Sequence, residues 1–124
     1  MPIVLAKNAR EFNLPNVKFS ALASPLTGST ENSVWQICVA PKTPPAIHQL
    51  TREEIIVALS GTALVSLDGE KSTVSKGDVI IVPPFTDFSI ANETAIEFTA
   101  TAILPVGGQA IIGTQPPFTP PWAT

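Results

Sequence analysis

Short apolar runs, many of them alternating with polar residues and cut by proline or glycine, dominate this 124-residue chain. Thirteen prolines and seven glycines leave no room for long helices, since proline removes a backbone donor and clashes with the preceding turn. The runs are rich in Val, Ile, Thr and Phe, residues that suit a pleated, half-buried surface. Residues 33–40 (SVWQICVA) predict a strand ended by Pro41, residues 55–59 (IIVAL) a second broken at Ser60-Gly61, and residues 62–67 (TALVSL) a third. Asp68-Gly69 predicts a two-residue hairpin turn, with residues 70–75 returning as the partner strand. After a turn at Lys76-Gly77-Asp78 comes a strand over residues 79–82, stopped by Pro83-Pro84. Residues 88–91 and 95–104 complete the set. In the last of these Ile96, Phe98, Ala100, Ala102 and Leu104 alternate with Glu97, Thr99 and Thr101, the period of a half-buried strand. Many short strands at this spacing predict an all-β sandwich or barrel. Residues 2–25 lack clear periodicity and predict only short strand or loop pieces. The proline-rich tail over residues 114–124 predicts an extended strap whose Phe118 and Trp122 pack back onto the body.

The length suits one domain spanning residues 1–124, with no room for separate cofactor and substrate domains. Charged residues are 14% of the chain, against ~25% in a typical soluble domain. So little polar surface predicts that part of the exterior is covered by another copy, a homodimer. The net charge of −3 and the scattered basic residues argue against nucleic acid or an anionic membrane as partner. No apolar run approaches the ~18 residues of a membrane span, no signal segment is visible, and the cytoplasm is the expected compartment. Asn92-Glu93-Thr94 fits a glycosylation sequon and is read as coincidence. One cysteine, Cys38, excludes an internal disulfide and a thiolate zinc cluster, and one histidine, His48, excludes a multi-histidine metal site built from this chain alone.

Two segments resemble the cupin superfamily of small β-barrels. In residues 40–61 (APKTPPAIHQLTREEIIVALSG) His48 takes the first histidine position of that family's first motif, Glu54 the glutamate position, and Gly61 the closing glycine. Lys42 stands where the motif has its first glycine and Leu50 where it has its second histidine. In residues 77–92 (GDVIIVPPFTDFSIAN) Gly77, Pro83 and Asn92 match the second motif without insertion, while Phe85 replaces its glycine and Phe88 its histidine. The resemblance covers about residues 33–104 and implies a jelly-roll barrel. It is weak for function, since the fold hosts many chemistries and also non-enzymes.

In metal-binding cupins two histidines and the glutamate of the first motif, with the histidine of the second, grip one divalent ion. This chain keeps only His48 and Glu54 of that set, and Leu50 and Phe88 have no lone pairs to offer. Two protein ligands hold a metal poorly, so no metal or other cofactor is expected. Cys38 or Asp87 could in principle add a third ligand, though Asp87, next to Phe88, would point to the opposite face of an extended stretch. If Glu54 faces inward, period-two alternation turns Ile56 and Ala58 inward too, puts His48 beside Leu50 on one face, and pairs Phe88 with Ile90. The expected site is therefore an apolar lumen of Leu50, Ile56, Ala58, Phe88, Ile90 and Phe98 around one imidazole and one carboxyl. The bland alternative is that His48 and Glu54 hydrogen-bond each other inside a filled barrel. If the pair is functional, His48 is the acid/base and Glu54 orients its ring, a set suited to isomerisation, epimerisation or dehydration of a small, largely apolar molecule. Metal-free cupins of the sugar-nucleotide epimerase type use a histidine base, but no arginine cluster for a pyrophosphate exists here. Arg52 and Lys42 could meet a substrate carboxylate at the mouth, or could simply be solvated. Whether the chain is an enzyme is left open. A non-catalytic binding or sensing module and a metal-dependent dioxygenase with a degenerate site are the alternatives.

Overall fold

The computed structural model describes residues 2–124, and apart from three single-turn 3-10 segments its regular structure is all strand. In chain order the strands are β1 (Arg10–Leu14), β2 (Val17–Ala23), β3 (Asn32–Val39), β4 (Gln49–Leu50), β5 (Glu54–Ser60), β6 (Thr62–Leu67), β7 (Glu70–Ser75), β8 (Val79–Val82), β9 (Phe88–Ala91), β10 (Phe98–Pro105) and β11 (Ala110–Ile111). One six-stranded antiparallel sheet runs β1-β2-β3-β10-β5-β8. Facing it are the three-stranded β7-β6-β9 sheet and the β11-β4 pair. A bridge between His48 and Phe88 stitches these last two into one layer, each backbone N–H donating to the other's carbonyl at 3.0 and 2.9 Å. The result is the two-layer jelly-roll arrangement expected of the sequence.

The predicted strands over residues 62–67, 70–75, 79–82 and 88–91 form with those bounds, and those over 33–40 and 55–59 shift at their ends by a residue. The last predicted strand begins later than expected. Ile96 lies in the turn before β10 and is exposed rather than inward. The cause is Asn92, which is fully buried and ties this turn. Its side-chain amide donates to the carbonyls of Ile96 (2.8 Å) and Val39 (3.3 Å), and its oxygen accepts from the Thr94 hydroxyl (2.8 Å). That burial also removes Asn92 as a glycan acceptor. Gly61, between β5 and β6, has φ +76 and a Cβ there would stand 2.3 Å from the Glu97 carbonyl oxygen, so only glycine lets the β6 hairpin pass this close to the start of β10.

Lys42 and Phe85, which replace motif glycines, both keep a left-handed backbone, φ 59 and 56. The Lys42 ammonium meets the Glu93 carbonyl at 2.7 Å, which helps hold that turn.

Inward residues alternate as the pattern demands: Trp35, Ile37 and Val39 on β3, Glu54, Ile56 and Ala58 on β5, and Phe98, Ala100, Ala102 and Leu104 on β10 are all buried. Outward, Val79 and Ile81 on the edge strand β8 are about half exposed and sit in register with Val57 and Ile55 of β5, leaving an apolar strip on the outer face. Among the described residues no helix is long and apolar enough to cross a membrane.

Candidate functional site

Between β1–β3 and the layer containing β4, β9 and β11 the interior is hollow. The cavity is about 440 Å³. One wall is the inward face of β2 and β3, with Val17, Phe19, Trp35, Ile37 and Val39. Across it stand Leu50, Phe88 and Ile90, and the floor carries Glu54 and Ile56. The Pro44-Pro45-Ala46 loop and the C-terminal strap form the rim. Such a mostly apolar concavity with few polar groups is the usual form of a small-molecule site.

The strap is built in. Phe118 exchanges backbone hydrogen bonds with Ala110 (2.8 and 3.1 Å), the buried Ser33 hydroxyl donates to the Ala123 carbonyl (2.9 Å), and Arg10 donates to the Thr124 carbonyl (2.9 Å). Trp122 stacks on Phe19 with ring centroids 3.7 Å apart and planes 2° from parallel. Its rings are therefore wall as well as anchor.

His48 is half-buried and contacts both this cavity and a shallow outer groove shared with Ile47, Gln49, Asp87, Ile111 and Gly113. Its ring packs edge-on against Phe88, centroids 5.2 Å apart. Nδ1 lies 3.0 Å from the Ala46 carbonyl oxygen. A carbonyl only accepts, so Nδ1 carries a proton, and the neutral tautomer compatible with this contact holds its lone pair at Nε2. This corrects the expected role of Glu54. The ring is oriented by its own loop, and no hydrogen bond joins His48 to the carboxylate.

Glu54 is only 4% exposed, at the start of β5. No hydrogen bond or ion pair to another described residue compensates it, and burial alone pushes its pKa up to about 8, because a dry wall disfavours the charged form. At neutral pH it is a protonated acid. The Trp35 indole N–H is likewise buried without a hydrogen-bond partner. Of these two, the Glu54 carboxyl is the polar group that the cavity floor presents without a protein partner.

Of the residues predicted to line the lumen, Leu50, Ile56, Phe88 and Ile90 come together here with His48 and Glu54. Ala58 and Phe98 do not. Both are buried in the hydrophobic core that also holds Ala63, Val65 and Val74, and neither lines the cavity. Alternation gives the face a residue points to but not how far along the barrel the hollow extends. Trp35, Ile37 and Val39 were missed, although their alternation in SVWQICVA was legible. Phe19, Phe118 and Trp122 were missed as wall, and no local signal shows which segments close a cavity. Arg52 and Lys42 are exposed and do not line the cavity.

The donor set does not fit a resident metal. No group of three or more His, Cys, Asp or Glu side chains converges among the described residues. The Cys38 thiol faces outward and donates to Glu97 (3.1 Å), and Asp87 accepts from the Gln49 amide (2.9 Å) on the outer surface, so neither completes His48 and Glu54. The degenerate-dioxygenase alternative loses its footing on that ground.

A stretch of 42 residues is 50% identical to an uncharacterised protein of Methanocaldococcus jannaschii, spanning 34% of each chain, so about a third of that relative's length is matched. The polyketide cyclase RemF of Streptomyces resistomycificus superimposes with a TM-score of 0.79 over 94% of this chain and 87% of its own, at 17% identity. A salicylate 1,2-dioxygenase of Pseudoaminobacter salicylatoxidans, solved with gentisate, gives a TM-score of 0.71 over 86% of this chain and 31% of its own, also at 17% identity. At such identities the likeness is one of fold. The cupin domain family matches residues 35–104, which contain both closing glycine and asparagine positions and the His48–Glu54 segment, and this chain belongs to that family.

Proposed function

We propose that this protein binds a small, largely apolar organic molecule in the 440 Å³ cavity and moves a proton on it, with His48 as the acid/base. One observation carries the reading: among the described residues, the only titratable side chains lining a mostly apolar cavity are His48 and Glu54. An imidazole with its lone pair at Nε2 is equipped to take a proton from carbon, and the Ala46 carbonyl stabilises the imidazolium that forms. The half-buried ring also meets the outer groove, which gives its proton a route to water. The fold shared with a polyketide cyclase and with a dioxygenase bound to gentisate supports an organic occupant.

The test uses 5-nitrobenzisoxazole, an apolar ring that opens when a base removes one C–H proton. Wild type should convert it with saturation, and His48→Ala should lose about 10²-fold in rate. Saturable binding with no acceleration would leave the non-catalytic binding module, which the absence of a His48–Glu54 bond favours. No saturation would overturn both. The two tryptophans, Trp35 and Trp122, both line the cavity, so quenching of intrinsic fluorescence reports occupancy. The homodimer also stays a proposal. Its natural face is the β5–β8 strip, and sedimentation of wild type beside Ile81→Lys measures it.

A further inference from the structure

A buried carboxyl is costly to keep when nothing in the protein answers it. Glu54 has no hydrogen-bond donor and no cation among the described residues to answer it, yet it forms part of the floor of the cavity. No Lys or Arg lines that cavity either. An anionic occupant would therefore be buried without a counter-charge. A cationic one would require two charges to be desolvated together in a dry barrel, which seldom repays its cost. An uncharged occupant asks for neither. A carboxyl that holds its proton offers its O–H to an acceptor on the occupant, and the aromatic rings of Phe19, Trp35, Phe88, Phe118 and Trp122 make a wall suited to flat rings.

We propose that the occupant is an uncharged ring ketone whose carbonyl oxygen accepts a hydrogen bond from the protonated Glu54 carboxyl, and that the reaction is enolisation. This rests on the reading of His48 as the base. The raised pKa of Glu54 agrees with it, since the acid must hold its proton at working pH. In the forward step the Nε2 lone pair of His48 takes a proton from the carbon next to the carbonyl. The C–H electron pair becomes the new C=C bond, and the C=O pair moves onto oxygen. That oxygen is met by the Glu54 O–H, which stabilises the developing negative charge or passes its proton across. Return of a proton from His48 to the same carbon gives exchange. Return to a conjugated carbon gives an isomer. No oxidant, metal or co-reactant enters.

The experiment follows loss of the α-proton signals of 2-tetralone in deuterated buffer near neutral pD by NMR, with binding measured separately by tryptophan quenching. Wild type should exchange faster than buffer and saturate. Glu54→Leu, which removes the donor and leaves a greasy wall, should lose about 10²–10³-fold in exchange. Glu54→Gln, which keeps a weaker donor, should fall between. Binding of 2-aminotetralin and of 2-naphthoate, matched rings carrying a cation or an anion, should be at least about tenfold weaker than that of the ketone.

Exchange in Glu54→Leu equal to wild type overturns the role of Glu54, as does tighter binding of the ammonium than of the ketone, which would make Glu54 a counter-ion. Absence of exchange in wild type overturns enolisation. Each of these can occur while 5-nitrobenzisoxazole is still converted through His48, so the proton-transfer reading and the carbonyl reading fail separately.

Discussion

The two halves of the barrel interior are lined by the same kind of strand and end in opposite conditions. On one side β5, β8 and β10 meet the β6–β7 hairpin, and Ala58, Ala63, Val74, Ile80 and Phe98 close into a dry core. On the other, β2 and β3 face the two-residue strands β4 and β11, the four-residue β9, a proline loop and the C-terminal strap, and the interior stays open. Full-length strands on both layers bring side chains into contact along the whole barrel. Short strands and irregular segments span the gap without filling it. The difference teaches that the hollow follows from what lies opposite a strand, since period-two alternation is equally regular on both sides. It also separates stability from chemistry: the packed half contains no buried ionisable group, while His48 and Glu54 stand together in the hollow one.

The largest expected effect is in the packed half. Phe98→Ala empties a site with no exposure and should cost about 3–5 kcal/mol in urea denaturation, whereas Ile90→Ala, half-buried against existing space, should cost about 1 kcal/mol. Equal costs would erase the distinction between the halves.

Next comes the pH dependence of the hollow half. The carboxyl of Glu54 loses its proton near pH 4.5 when unfolded and near pH 8 when folded, so between those limits the native state holds one more proton. Stability contributed by this group is full below pH 4.5 and is lost as pH rises to about 8, at about 1.4 kcal/mol per unit. Denaturation of wild type and Glu54→Leu across that range should show the slope only in wild type. A common slope would mean that the carboxyl is solvated.

A smaller effect tests the strap. Ser33→Ala deletes the bond to the Ala123 carbonyl and should cost about 1 kcal/mol, with faster hydrogen exchange at the Ala110 and Phe118 amides and none of that change at the β6–β7 hairpin. The smallest effect is a gain. Phe85→Gly relieves a left-handed phenylalanine and should stabilise by about 0.5 kcal/mol after the entropy of glycine in the unfolded chain is counted. A loss there would show that the exposed ring is making a contact worth more than the strain.

Much of the scaffold was legible residue by residue. Asp68-Gly69 placed the β6–β7 hairpin because that dipeptide readily takes the positive φ it needs, and Asp68 and Gly69 do so here. The β1–β2 hairpin escaped notice because its two-residue turn is Pro15-Asn16, with Asn16 supplying the positive φ, and not one of the glycine-bearing pairs that announce a hairpin. Within the site, alternation put Glu54, Ile56 and Ala58 on one face, and all three are buried, but only the first two reach the cavity.

By itself the sequence determined the strands, their inward faces and the family, because side-chain period and turn chemistry act over neighbouring residues. Only the tertiary structure decided that the Ala46 carbonyl orients His48, that Glu54 stands unpaired, and that Phe19, Phe118 and Trp122 close a cavity. Those outcomes depend on distances between segments far apart in the chain, and burial, which sets the charge of Glu54, is a property of everything packed around it.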